Sequence, residues 1–204
     1  MLLEQAAAQI RRGGVVVIPT DTCYGLAANP FDPKALDRIF TIKGRSPLKP
    51  ISIFIAHRGM LAPLISDDGP SPAAERLMET FWPGPLTLIF KSASTLPDRL
   101  TAGTQTIGVR LPASAFVRSL IAIAGIPITA TSANRSGDPN PVSAREVAET
   151  LMVQLHPPDR LIDGGPGSAV ASTVVDVMHA PPRLVRNGAL ALSELAPFGV
   201  LASA

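Results

Sequence analysis

Cysteine, aromatic rings and long apolar runs are all scarce in this sequence, and each scarcity excludes a class of protein. The 204 residues include one cysteine, Cys23, so no intramolecular disulfide can staple the fold, a usage that fits a reducing compartment. No histidine lies near Cys23 in sequence to activate it, which favours a plain buried or loop thiol over a nucleophile. The 3 histidines, His57, His156 and His179, are scattered without metal-ligand spacing. Aromatics make up 4% of the chain, so the core has to be aliphatic. No apolar stretch approaches the ~20 residues that span a bilayer. The opening MLLEQAAAQIRRGG places Glu4 early and Arg11 and Arg12 late, the reverse of a secretory signal, and reads as an amphipathic helix. A cytoplasmic protein without a membrane partner is expected. Charge of either sign is also short: a net +2 is too weak to indicate nucleic acid without a local basic cluster. There is no G-x-x-x-x-G-K-S/T phosphate loop, and Gly13-Gly14 lacks the spacing of a dinucleotide fingerprint.

What is present is a chain of 46% hydrophobic and 17% charged residues, which argues against disorder. Its 21 prolines fall mostly at element edges and in loops. The run VVVIP at 15–19 reads as a buried strand, and 20–29 as polar and turn-rich. Asp32-Pro33 opens a helix with an apolar face at Leu36, Ile39 and Phe40, closed by Gly44, Ser46 and Pro47. Strands are expected at 51–56, 86–91, 106–111, 126–131, and near 161–163, 172–178 and 183–186. Helices are expected from Pro72 to Phe81, over 113–124, from Ser143 (with Glu146 at capping-box spacing) to about Met152, and at Ser193. The tail 197–204 is expected to be the least ordered segment. Strands and helices mingle along the whole length without linker or repeat, so the fold class is α/β (α+β), as a single domain over 1–204.

Polar residues collect at the ends of four expected strands: Thr20-Asp21-Thr22, Thr129 to Asn134, Asp163-Gly164-Gly165, and Arg186-Asn187-Gly188. If those strands are parallel neighbours, the clusters share one pocket. Strand ends are also polar simply because loops meet water, and position alone leaves the two readings even. Lys43 lies on the same helix face as Leu36 and Ile39, where a lysine must snorkel or meet an anion, and Arg45 follows where the helix breaks. Two such cations suit a polyphosphate, and they equally suit a basic helix C-terminus complementing the dipole. If they serve a nucleotide, losing either should slow turnover and spare folding.

Seven segments then resemble one family in its own order. PTDTCYGL (19–26) is similar to its P-T-D/E-T-x-Y-G-L segment, IKGRS (42–46) carries its K-x-R, and FWPGPLT (81–87) its W-P-G-P-L/V-T. GVRLP (108–112), TSANRSG (131–137) with its S-x-N, ASTVVDV (171–177) and VRNG (185–188) complete the set. By these the chain is identified as a member of the YrdC family of L-threonylcarbamoyl-AMP synthases. The resemblance implies a twisted mixed open sheet with flanking helices around a central basic cavity. It implies that L-threonine, bicarbonate and ATP give threonylcarbamoyl-AMP and pyrophosphate, a nucleotidyltransferase reaction. Other proteins of tRNA modification then use the product for N6-threonylcarbamoyladenosine, and a weak contact with RNA itself stays open.

Carried over by position, Lys43, Arg45, Ser132 and Asn134 form the catalytic set and meet ATP together with Thr106 and Arg186. Thr20, Arg110 and Ser172 hold threonine, with Arg110 on its carboxylate. No metal ligands are expected, and Mg²⁺ arrives on ATP's triphosphate. The chain departs from the family at Phe54, where longer members often carry histidine, at Ser46 before Pro47, and at Lys49-Pro50-Ile51. Longer members have an additional C-terminal domain, and this chain reads as the short form. Three rivals remain at this stage: a YrdC-like paralogue binding nucleotide or RNA without synthase activity, a carbamoyl-transfer domain like that of hydrogenase maturation, and a scaffold. The retained K-x-R and S-x-N, the short chain and the polar strand ends weigh against each in turn.

Overall fold

The computed structural model describes residues 1–202. The chain runs α1 (Leu2–Arg11), β1 (Val16–Ile18), β2 (Gly25–Ala27), α2 (Pro33–Lys43), β3 (Ser52–Phe54), α3 (Pro72–Phe81), β4 (Leu86–Lys91), α4 (Asp98–Thr101), β5 (Thr106–Arg110), α5 (Ala115–Ala124), β6 (Ile128–Ser132), α6 (Ala144–Thr150), β7 (Arg160–Leu161), β8 (Thr173–Asp176), β9 (Arg183–Arg186) and α7 (Leu192–Leu195). The strands form one nine-stranded sheet in the order β7-β1-β2-β6-β3-β5-β4-β8-β9. Helices flank it on both faces.

Local chemistry sets most helix ends. Asp32 accepts the Lys34 N–H at 2.9 Å, Pro33 occupies the first turn, and Gly44 ends α2 with φ 54°, a left-handed conformation that glycine adopts without a Cβ penalty. Ser71, Ser114 and Ser143 cap α3, α5 and α6 in the same way. At α6 the expected capping box is shifted by one residue: the Glu146 carboxylate takes the Val142 N–H, not that of Ser143.

The β-branched run of β1 is continuous because both of its faces are buried. Val15 and Val17 enter a large core with Leu36, Ile39, Leu77 and Val109. Val16 and Ile18 enter a second core with Ala6, Ile10, Leu120 and Ile121 from α1 and α5. That second face matters for the site, because α1 and α5 cover only part of it.

Besides the short helix α4, which the sequence reading did not place, the structure differs from it in three further respects. Residues 25–27, read as part of a polar turn-rich segment, form β2, fully buried between β1 and β6. The strands with polar ends are not all parallel neighbours: β2 runs antiparallel to both β1 and β6, and β9 lies at the far edge, antiparallel to β8. The tail is fastened rather than loose as far as Leu201. Val200 is buried, and Leu201 exchanges hydrogen bonds with Pro182 and Leu184 at 2.9 and 2.8 Å. Residues 203 and 204 of that expected segment lie outside the described residues.

Candidate active site

Cross-strand register, rather than parallel strand ends, assembles the polar residues. Phe54 of β3 stands beside Ile128 of β6 on one side and Arg110 of β5 on the other. Leu88 pairs with Val109, which brings Thr87 opposite Arg110; Thr87 pairs with Val174, and Val174 with Arg186. These side chains therefore lie in one row on one face of the sheet. Neighbouring rows add Ser52 beside Ala130 and Gly25 beside Ser132. Gly108 keeps the floor between Ser52 and Thr87 low, because a Cβ there would stand 2.5 Å from Ser52 Oγ. The row forms the floor of an open pocket of about 270 Å³ where α1 and α5 leave the second face uncovered.

Of the residues expected at a site, Thr20, Arg45, Arg110, Ser132, Ser172 and Arg186 line this pocket. Lys43 and Asn134 stand just behind the wall. Lys43 is 2% exposed, and its ammonium donates to Ser132 O at 2.5 Å, Asn134 O at 2.8 Å and Asn134 Oδ1 at 3.0 Å. Ser132 Oγ donates to the same Oδ1 at 2.6 Å, so Lys43, Ser132 and Asn134 form one network. Thr106 is not brought to the wall: it begins β5 opposite Lys91, its hydroxyl shared with Thr104. Asp163, expected to share the pocket, instead fastens its side. The Tyr24 hydroxyl donates to Gly165 O at 2.6 Å and accepts the Gly164 N–H at 3.0 Å, with Asp163 Oδ1 at 3.2 Å.

Three cations of the site lack any acidic partner among the described residues: Lys43, Arg45 and Arg186. Arg45 is held by the Lys49 and Pro50 carbonyls, and Arg186 by the carbonyl and hydroxyl of Ser172, whose Oγ also meets Thr87 Oγ1 at 2.8 Å. Burial, reinforced by neighbouring Arg45, pushes the Lys43 pKa down to about 7. Burial lowers Arg45 as well, with Arg186 adding to it, and lowers Arg186. Burial raises the Cys23 thiol, with Arg110, Lys43 and Arg186 pulling against it. The pocket is thus a positive concavity with its own charge uncompensated, the condition that favours an anion.

Arg110 is different. It is 3% exposed, and its guanidinium donates through Nε to Gly84 O at 2.9 Å, Nη1 to Thr22 Oγ1 at 3.1 Å and Nη2 to Asp21 Oδ2 at 2.6 Å. Burial lowers its pKa and Asp21 opposes the shift. Among the described residues the second hydrogen on each terminal nitrogen has no partner, so Nη1 and Nη2 each keep one donor for a ligand. Among the described residues the buried Asp21 Oδ1 has no hydrogen-bond partner, and the carboxylate is held through Oδ2 by Arg110 and the Ala113 N–H.

Asp21 and Thr22 were grouped with Thr20 in one polar cluster from the sequence but given no role, and Phe54, Thr87 and Asn140 were not selected as site residues. A carboxylate between two threonines after a buried strand was a signal for Asp21, and Phe54 was visible as a departure. Thr87 closes a quoted motif. Asn140 sits in a loop without periodicity and had no signal; its amide donates to Ala169 O at 3.1 Å.

A twisted mixed sheet carrying a basic pocket on one face defines a class that the comparisons make specific. The chain belongs to the Sua5/yciO/yrdC family, described as "Telomere recombination", whose model matches residues 8–188. It is 42% identical to a threonylcarbamoyl-AMP synthase of Pyrococcus abyssi over 93% of this chain and 55% of that protein. It is 39% identical to the Bacillus subtilis protein of the same name over 95% of this chain and 55% of the other. The chain thus spans about half the length of these curated relatives. The crystal structure of P. abyssi Sua5 complexed with L-threonine superposes with a TM-score of 0.92 at 40% identity, covering 98% of this chain and 58% of that one.

Proposed function

We propose that this protein is an L-threonylcarbamoyl-AMP synthase, a nucleotidyltransferase acting on L-threonine, bicarbonate and ATP. The observation that carries the reading is the pocket itself: Arg110 with a donor left on each terminal nitrogen, beside uncompensated Arg45 and Arg186, with Ser132 of the wall joined in one network to Lys43 and Asn134 behind it. Relatives of that printed name at 39–42% identity support it. Arg110 takes the threonine carboxylate, with Thr20 and Ser172 nearby. The threonine amine and bicarbonate form a carbamate with loss of one water, and a carbamate oxygen attacks the α-phosphorus of ATP as the bond to pyrophosphate breaks. Charge on the phosphoryl oxygens and the leaving group builds against Arg45 and Arg186. Fixed dipoles and cations that need no reorganisation are the main source of acceleration in such a step. No protein nucleophile takes part.

The pocket wall carries no carboxylate, and the described residues hold no cluster of acids, histidines or cysteines able to cage a metal. Mg²⁺ in this reading comes bound to the phosphates of the substrate. The product passes to other proteins of tRNA modification in the cytoplasm, and contact with RNA itself is secondary. No described helix is long and apolar enough to cross a membrane. The test is to incubate the purified chain with ATP, Mg²⁺, L-threonine and labelled bicarbonate. Labelled threonylcarbamoyl-AMP with equimolar pyrophosphate is expected; ATP binding without labelled product would return the chain to the paralogue reading.

A further inference from the structure

Arg135, the residue after Asn134 in TSANRSG, has no role in the site described above. It lies in the loop after β6, directly beyond Asn134, and it is exposed. Its guanidinium has neither hydrogen-bond nor ion-pair partner among the described residues, a state it shares with the exposed Arg12, Arg76 and Arg183; its place against Gly44 sets it apart from them. Only its backbone is used, its carbonyl accepting the Asp138 N–H at 3.1 Å.

The position of this free cation is fixed by its neighbours. Ser136 N–H donates to the Lys43 carbonyl at 2.8 Å, tying the loop to the C-terminus of α2. Arg135 Nη2 lies 3.6 Å from where a Cβ on Gly44 would stand, so the guanidinium rests on Gly44, between Lys43 and Arg45 in sequence. Arg45 turns into the pocket from there, while Arg135 stays outside the lining. The cations therefore continue from the pocket past its edge, and the outermost has no acid to neutralise it. A ligand that extends anionic charge from the pocket toward the end of α2 would meet Arg135 last.

We propose that Arg135 binds the terminal phosphates of the nucleotide, the portion that leaves as pyrophosphate, and so sets the preference for a triphosphate over a monophosphate. The inference rests on the nucleotide reading of the pocket. A planar fork on a phosphate tail supplies two charge-assisted hydrogen bonds that a nucleoside monophosphate has no atoms to receive.

The experiment measures binding of AMP and of a non-hydrolysable β,γ-imido ATP analogue with Mg²⁺, by calorimetry, to the parent, Arg135→Gln and Arg135→Lys. Arg135→Gln is expected to weaken the triphosphate analogue about tenfold and to leave AMP within about twofold, with Arg135→Lys between. Its melting temperature should stay within ~1 °C of the parent, because no hydrogen bond or ion pair of the fold is lost. Equal affinities of parent and Arg135→Gln for the analogue overturn the proposal, as does an equal loss for both nucleotides or a parent that binds neither. Binding needs no turnover, so the result separates from the synthase reading. A parent that discriminates through Arg135 but makes no labelled product loses the activity and keeps the phosphate site. A parent that makes product while Arg135→Gln binds both nucleotides normally loses only the phosphate site.

Discussion

Lys43 shows how one residue combines a structural and a chemical role. The sequence reading expected its loss to spare folding. In the structure it donates to three oxygens at the end of β6, and removing it strands buried acceptors at about 1–3 kcal/mol. Its charge works in the other direction. The folded pKa is pushed down to about 7, while the unfolded side chain titrates near ~10.4. Between those values the unfolded chain binds the proton more tightly, so the Lys43 contribution to stability is lost as pH falls toward 7 and regained as pH rises. Urea unfolding of the parent and of Lys43→Met should show the parent gaining on the variant from about pH 7 to about pH 9. A stability difference that does not change with pH would refute the buried, shifted ammonium.

Arg110 and Asp21 make a second residue-scale prediction. The pair is buried, at 3% and 15% side-chain exposure, within a cluster of otherwise uncompensated cations. Asp21→Asn removes the single carboxylate holding that arginine and should destabilise the protein by about 3 kcal/mol. It should also raise the KM for threonine more than that for ATP, because Arg110 loses its fixed orientation. Arg110→Lys should do the same to threonine while keeping the charge, since an ammonium cannot clamp a carboxylate bidentately. Unchanged threonine saturation in both variants would remove Arg110 from the threonine site.

At the scale of elements, the pocket depends on loops tied to one another rather than to the sheet alone. Tyr24, 1% exposed just before β2, anchors the 163–165 loop through its hydroxyl. The Ser168 N–H donates to Thr22 O and the Gly167 N–H to Val142 O, each at 2.7 Å, so segments 20–24, 140–142 and 163–168 close one side together. Tyr24→Phe keeps the ring and deletes the hydroxyl, leaving the Gly164 N–H and Gly165 carbonyl unpaired. The expected cost is about 0.5–1.5 kcal/mol, because both groups belong to exposed glycines that water can reach. Hydrogen exchange should quicken at 164–168 while α2 and β1 keep their protection. Uniform protection across the chain would show that the loop is held by other contacts.

For the whole molecule, the dominant electrostatic fact is like charge concentrated in one concavity. Arg45, Arg110 and Arg186 line it and Lys43 stands just behind, and among the described residues only Asp21, beside Arg110, pairs a carboxylate with any of them. The empty protein bears this repulsion, and a polyanion relieves it. Millimolar pyrophosphate should raise the melting temperature well beyond sodium chloride at equal ionic strength, by mass action on the folded state. The effect should shrink in Arg45→Ala and Arg186→Ala. Identical shifts from both salts, or an undiminished shift in the variants, would mean that the cations do not act as one site.

What the sequence by itself determined is what depends on near neighbours. The bounds of α2 follow from Asp32, Pro33 and Gly44, and the starts of α3, α5 and α6 from their serines, because a cap is made within a few residues of the turn it satisfies. The aliphatic runs marked most strands, and the seven motifs marked residues that do meet at the pocket. β2 escaped because three residues, Gly25–Ala27, are too few to show a period. Only the tertiary structure decided which strands lie side by side and in what register. Thr87 meets Ser172 across 85 residues of sequence, and Arg110 meets Asp21 across 89. A shift of one residue at any pairing would turn those side chains to the opposite face. The same register left Thr106 away from the pocket on the strand that delivers Arg110 to it, and it gave Lys43 its acceptors on β6. Both outcomes turn on which distant backbone groups come within hydrogen-bonding reach, and no local pattern in the chain encodes that.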